Sequence, residues 1–180
     1  MRAAAQAANW WGGDGVVWAA ALLWLGGRAI RRNVVARVGL RGAEALAIAS
    51  AISGIAKGLA GRARPFVIPG EPWHFEFNHG WTDARYFSLP SGHTTATVAF
   101  AAGIALALSG APTRLRLAVA IPLLLSAGVV AWARIVTDQH WLSDVTVGMV
   151  LGTLTSLYLS VLHRRSPSPR YERVMLGARA

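Results

Sequence analysis

Residues Leu117–Leu162 read LAVAIPLLLSAGVVAWARIVTDQHWLSDVTVGMVLGTLTSLYLSVL, and this stretch decides the fold. Two apolar blocks, 117–133 and 141–162, flank a short polar turn, Ile135–Gln139. A helix needs roughly 20 mostly apolar residues to cross a bilayer, and both blocks fall in that range. Working outward, three further blocks read as spans, at about 13–30, 42–60 and 93–109. Asp14 and a run of glycines interrupt the first of them. The expected fold is therefore all-α: a polytopic membrane helix bundle with five transmembrane helices. Residues 1–163 are expected to form one transmembrane domain, with a loop at 61–92 and a basic tail at 164–180.

Composition agrees. More than half of the 180 residues are apolar and they fall in long blocks, as in a membrane protein. The net charge of +10 would suggest nucleic acid in a soluble chain. Here the charges lie between apolar blocks, so they report topology and no nucleic-acid partner is expected. Cysteine is absent, which excludes disulfides and thiolate metal sites. Met1-Arg2 leads into a mild Ala/Gln/Asn stretch without a compact apolar core, so no removable signal peptide is expected.

Charge sets the orientation. Arg28, Arg31, Arg32, Arg37 and Arg41 lie between the first two blocks, Arg114 and Arg116 between the third and fourth, and Arg164, Arg165, Arg170, Arg173 and Arg179 after the fifth. Alternating spans put all three groups on one side, which the arginine excess marks as cytoplasmic. The C-terminus, with Ser166-Pro167-Ser168-Pro169, reads as a disordered cytoplasmic end. Trp132, Trp141, Trp73 and Trp81 read as an interfacial belt on the outer side, and Trp73-His74-Phe75-Glu76-Phe77 as a segment at headgroup depth. Gly54-x-x-x-Gly58 and Gly148-x-x-x-Gly152 would allow close helix contacts.

Three clusters of ionisable residues gather at the outer ends of the blocks, where such groups are costly and usually functional. In the last, His140 and Asp144 are four apart and expected on one helix face. A carboxylate there fixes the imidazole tautomer and stabilises the imidazolium-like state formed when the other nitrogen attacks. Arg134, across the turn, can bring its guanidinium fork to a phosphate held at His140. In the middle cluster, Pro90-Ser91-Gly92-His93 opens a helix whose N-terminal N–H groups suit an anion. Ser91 can cap, and Gly92 lets the backbone approach a phosphate. In the first, Lys57, the only lysine in the chain, stands two helical turns before Arg64-Pro65. Two histidines, a carboxylate and three cations are the parts needed to hold a phosphate and transfer it.

Lys57-x6-Arg64-Pro65, Pro90-Ser91-Gly92-His93 and Arg134-x5-His140-x3-Asp144 together resemble the three-part signature of the type 2 phosphatidic acid phosphatase superfamily. That group includes bacterial membrane lipid phosphatases and is related to vanadium haloperoxidases. The resemblance covers residues 57 to 144, in order and with matching spacing. It implies that His140 is the nucleophile forming a phosphohistidine, Asp144 its orienting partner, and His93 the acid that protonates the leaving group. It also implies that Lys57, Arg64, Ser91, Gly92 and Arg134 bind phosphoryl oxygens, with no metal and no cofactor. The expected partners are the bilayer and a lipid phosphate, such as undecaprenyl diphosphate, phosphatidylglycerophosphate or phosphatidic acid. The expected place is the inner (plasma) membrane of a bacterium, with the site on the extracytoplasmic face. Nothing in the residues sets an oligomeric state.

Two features depart from that pattern. Ala133 stands where the family often has serine. Relatives commonly have six spans against the five counted here, so either an N-terminal helix is lacking or the sequence begins downstream of the true start. The clusters lie far from that end, so the expected consequence is for packing and stability more than for chemistry. Other readings differ in prediction. A transporter or channel would spread its charges through the bilayer depth. A vanadate-dependent haloperoxidase-like enzyme would use the same oxyanion pocket in a soluble chain. His74 and His79 lack a close paired spacing for a metal, Glu44 is expected to pair with Arg41, and Glu71, Asp83 and Asp138 read as loop carboxylates.

Overall fold

A computed structural model describes residues 2–165 and 175–176. Its elements run α1 (Arg2–Trp10), a π-helical turn (Trp11–Gly15), α2 (Val16–Ala29), α3 (Asn33–Ala60), two 3₁₀ turns (His79–Trp81 and Ala84–Tyr86), α4 (Gly92–Ala107), α5 (Thr113–Val136) and α6 (Leu142–Arg165). The all-α class expected from the apolar blocks holds among the described residues.

The expected count of five transmembrane helices does not. Three described helices are long and apolar enough to cross a membrane: α3, α5 and α6. The first block fails because its run Gly12-Gly13-Asp14-Gly15 falls in the π turn, leaving α2 only 14 residues. At 1.5 Å per residue that is about 21 Å, short of a ≈ 30 Å hydrocarbon core. The third block gives α4, 16 residues, which stops at Ala107 before Ser109-Gly110-Ala111-Pro112. Its length is about 24 Å. The other three outrun their expected ends. Arginine is a good helix former, so α3 begins at Asn33 and takes in Arg37 and Arg41, and α5 begins at Thr113 and takes in Arg114 and Arg116. Likewise α6 runs on through Arg164 and Arg165. The Ser166–Pro169 stretch lies outside the described residues. Of the tail, Met175 gives its carbonyl to Trp24 Nε1 (3.1 Å) and Arg28 Nη1 (3.0 Å), against the end of α2.

Helix α4 is the centre of the bundle, packed against α3, α5 and α6, and it is buried on almost every face from Thr94 to Ile104. Small residues make this possible. A Cβ on Gly148 would stand 2.8 Å from the Ser91 carbonyl, and one on Gly152 2.7 Å from that of Thr95. That glycine pair is therefore a helix contact, as expected. The other is not: Gly54 faces open space, and Gly58 meets the ring of Trp81 in the outer loop. Leu22, Ile55, Leu125, Val150, Leu154 and Tyr158 lie exposed on the outside, a surface suited to lipid.

Consecutive helices from α2 to α6 run antiparallel, whereas α4 and α6, which pack on each other, run parallel. Helices α3 and α5 finish, and α4 and α6 begin, at the end that carries all three ionisable clusters. Arg37, Arg41, Ser109, His163 and Arg164 meet around a cavity of ≈ 160 Å³ at the other. There Glu44 lies 3.9 Å from Arg41 and 3.0 Å from His163.

Candidate active site

Helix α3 ends on Gly61, in the left-handed conformation (φ 57°), whose N–H closes on the Lys57 carbonyl. Only glycine fits, because any side chain would also overlap the Glu76 carbonyl. The helix thus stops four residues before Arg64, and Lys57 and Arg64 do not share a helix face. Chain reversal brings them together instead. Lys57 is buried, and its Nζ donates to the carbonyls of Phe87 and Ser88, both at 3.0 Å. Arg64 is held by the Ala84 carbonyl (3.1 Å) and by Gln139 Oε1 (2.7 Å) in the turn before α6.

After Gly61 the chain is extended, bridging antiparallel to Phe75. Side chains two apart along such a chain share a face; Arg62 and Arg64 nonetheless go to different partners. Arg62 is the largest fully buried side chain described, 1 % exposed. Its Nη1 donates to Asp144 Oδ1 at 2.5 Å and to Ser143 Oγ at 2.8 Å. Its remaining nitrogens reach the Pro72 carbonyl, and its guanidinium lies 5.4–5.9 Å from the ring centroids of Phe75, Trp73 and Trp141. A planar, weakly hydrated cation tolerates that cage better than an ammonium would.

Asp144, 0 % exposed in the first turn of α6, is the hub. Beyond Arg62 it accepts from Ser88 Oγ (2.6 Å) and from the Trp141 backbone N–H (2.8 Å). His140 precedes α6, so it and Asp144 do not share a helix face as expected. It is buried in the Thr137–Trp141 turn, its N–H on the Arg134 carbonyl (3.2 Å). Its Nδ1 lies 3.6 Å from Asp144 Oδ2 and 3.5 Å from Ser88 Oγ. Burial pushes the imidazole pKa down to about 3 from 6.5. Asp144 opposes that shift, while Lys57, Arg134 and Arg64 add to it. At neutral pH His140 is uncharged, with Nε2 left free of the Asp144 contact.

Ser91, 0 % exposed, stands at the N-cap of α4 but makes no capping bond with its side chain. Its Oγ pairs with Thr94 Oγ1 (3.0 Å) and its N–H donates to the Asp144 carbonyl (2.9 Å). Gly92 brings the first turn of α4 against Lys57: a Cβ there would be 3.3 Å from Lys57 Cε. Lys57, Phe87, Gly92 and His93 line a cavity of ≈ 280 Å³ with Gly13 and Val17. Arg134, in the last turn of α5, is buried and donates from Nη1 to Asn9 Oδ1 at 3.1 Å. Its Nε is buried with no hydrogen-bond partner among the described residues.

All eight residues singled out by sequence lie at this one end: Lys57, Arg64, Ser91, Gly92, His93, Arg134, His140 and Asp144. Sequence reasoning missed Arg62, Ser88 and Asn9. Arg62 carried a signal, a second arginine in Gly61-Arg62-Ala63-Arg64-Pro65, and Asp144 an unmet need for a cation. Ser88 and Asn9 carried none. Away from this centre, His74 and His79 bracket Glu76 at 3.2 and 3.3 Å, and Asp83 caps the second 3₁₀ turn and pairs with Arg85. Hydrogen bonds from Arg85 hold the Asp83 carboxyl down at about 2.

No significant match was found among curated proteins or solved structures. Residues 39–167 match the PAP2 superfamily. That span is 129 of 180 residues (167 − 39 + 1) and holds every one of the eight. With most of its length matched, and the three ionisable clusters gathered at one end of an apolar helix bundle, this chain belongs to the PAP2 superfamily, with a membrane phosphatase-like fold.

Proposed function

We propose that the protein hydrolyses a phosphomonoester or diphosphate of a lipid through a covalent phosphohistidine at His140. The observation that carries this reading is the field around His140, a buried neutral imidazole on which Lys57, Arg64 and Arg134 all act. A phosphoryl group in transfer carries negative charge on its equatorial oxygens, and its catalysis is mostly positioning and electrostatic stabilisation. Three cations and the N–H groups opening α4 supply both. The unpartnered buried donor on Arg134 fits an anion, since leaving such a donor unmet costs about 1–3 kcal/mol.

In this mechanism Nδ1–H faces Asp144 and Ser88, and the Nε2 lone pair attacks phosphorus. The P–O bond to the lipid breaks, and the leaving oxygen takes a proton from His93. Water then attacks phosphorus, giving its proton to His93; the N–P bond breaks and phosphate departs. Asp144, with Arg62 and Ser88 on its other lone pairs, holds the ring and steadies the charge it gains. No step calls on a metal. Residues 1–163 act as one phosphatase domain.

A lipidic substrate is supported by Trp73 and Phe77, exposed (77 % and 78 %) in the loop at the site end of an apolar bundle. Aromatic side chains of this kind favour the membrane–water interface. The arginine-rich opposite end supports an extracytoplasmic site. The test is a panel of lipid mono- and diphosphates given to purified protein in detergent, with the His140→Ala protein as control. Phosphate release that persists in EDTA and is lost in the variant is expected. Turnover abolished by EDTA and restored by a divalent ion would contradict the metal-free mechanism.

A further inference from the structure

The matched segment begins at residue 39, yet the structure sets an earlier segment against the site. Helix α1 lies along the end of α5: Ala5 and Ala8 are buried in one cluster with Ala133, next to Arg134. Trp11 Nε1 donates to Ser126 Oγ at 3.0 Å and pins the π turn to the same helix. These two anchors place Asn9 so that its Oδ1 accepts from Arg134 Nη1. An arginine side chain has several rotatable bonds, and a fixed acceptor on one nitrogen removes much of that freedom.

The glycines of the turn have a separate role. Gly12 and Gly13 are right-handed, so no turn geometry demands glycine there, and each costs helix stability of about 1 kcal/mol relative to alanine. What they supply is space. A Cβ on Gly12 would stand 2.5 Å from Val130 Cγ1 and 3.3 Å from His93 Cβ, and one on Gly13 would stand 3.1 Å from His93 Nε2. The turn passes so close to the ring nitrogen of His93 that a methyl group at Gly13 would require the ring to give by a few tenths of an ångström. Helical π turns occur often at functional sites.

We infer that residues 9–13 form a wall of the phosphate site outside the family-matched segment, in which Asn9 positions Arg134 and Gly13 sets the space at His93 Nε2. The inference rests on the phosphate-binding role given to Arg134 above.

The test is a double-mutant cycle on purified full-length protein, read by inorganic phosphate binding and by lipid phosphate turnover. Asn9→Leu should weaken phosphate binding and raise KM by about 3–10-fold, as for a lost hydrogen bond to a charged group, with kcat within twofold. Asn9→Asp, which keeps an acceptor oxygen, should restore affinity. In an Arg134→Ala background Asn9→Leu should change nothing further, because its effect passes through that side chain. Equal losses in both backgrounds, or a fall in kcat with unchanged phosphate affinity, overturn the role of Asn9. Gly13→Ala should lower kcat by roughly tenfold or more while phosphate affinity holds, since only His93 is displaced. Unchanged kcat overturns the role of Gly13. Wild-type protein that binds phosphate through Arg134 but turns over no lipid phosphate contradicts the reaction, and the Asn9 cycle is then decided by binding alone. Protein that binds no phosphate overturns both.

Discussion

Arg62 and Asp144 form an ion pair sealed from water, 1 % and 0 % exposed, and its worth depends on what is removed. Taking away one partner strands a buried charge, at a cost of about 3–5 kcal/mol, whereas replacing both by apolar groups is often nearly neutral. Arg62→Met should therefore lower thermal stability in detergent far more than Arg62→Met with Asp144→Leu does. Equal losses would mean that the pair is not coupled. His140 gives a second prediction at this scale. With a folded pKa of about 3 against 6.5 unfolded, the unfolded chain binds a proton between those values that the folded chain does not. Stability from this group is thus full above pH 6.5 and is lost as pH falls towards 3. Melting temperatures at pH 5 and pH 7.5 should differ less in His140→Asn than in wild type; an identical difference would show that His140 is not buried as described. Six of the eight candidate site residues stood out in the sequence because ionisable groups are expensive at a membrane boundary, and Ser91 and Gly92 because they open an apolar helix. Arg62 was legible only as a second arginine beside Arg64, because nothing in a string of letters says that the acid it neutralises lies 82 residues away.

At the level of elements, the sequence carried that the apolar blocks are helical; it did not carry their lengths, nor helix α1, which lies outside any apolar block. Apolar blocks mark the lipid-facing and core-facing part of a helix, but α3 and α5 extend into arginines that a hydropathy pattern assigns to loops. The reverse error arose at the first block, where nothing in the hydropathy marked the π turn at Trp11–Gly15. Glycine was equally ambiguous as a letter. Gly148 and Gly152 hold α6 on α4, whereas Gly54 touches nothing. Gly152→Leu should force α4 and α6 apart at a cost of about 1–3 kcal/mol, the range for overpacking, while Gly54→Leu should leave the melting temperature within a degree or two of wild type. Similar losses for both would contradict the packing of α6 on α4.

For the molecule as a whole, the charge asymmetry carries a prediction about orientation. The chain has no cysteine, so single cysteines report without interference. Thr82→Cys lies in the exposed loop at the site end and Gly110→Cys in the connection at the opposite end. A membrane-impermeant maleimide applied to intact cells should label the first and not the second; the reverse pattern would turn the site inward. The wall at residues 9–13 was beyond sequence reasoning for a related reason. Its contacts join positions far apart in the chain, Asn9 with Arg134 and Gly13 with His93, through a motif-free segment rich in alanine and glycine. Family signatures locate the chemistry and leave the packing around it unstated.

The central claim is that one buried, neutral imidazole attacks phosphorus directly. Brief exposure of purified protein to a ³²P-labelled lipid phosphate, followed by denaturing quench, tests it most directly. An acid-labile, alkali-stable label on wild-type protein that is absent from folded His140→Ala is the predicted result. Labelling that persists in that variant would place the nucleophile on another residue and contradict the account.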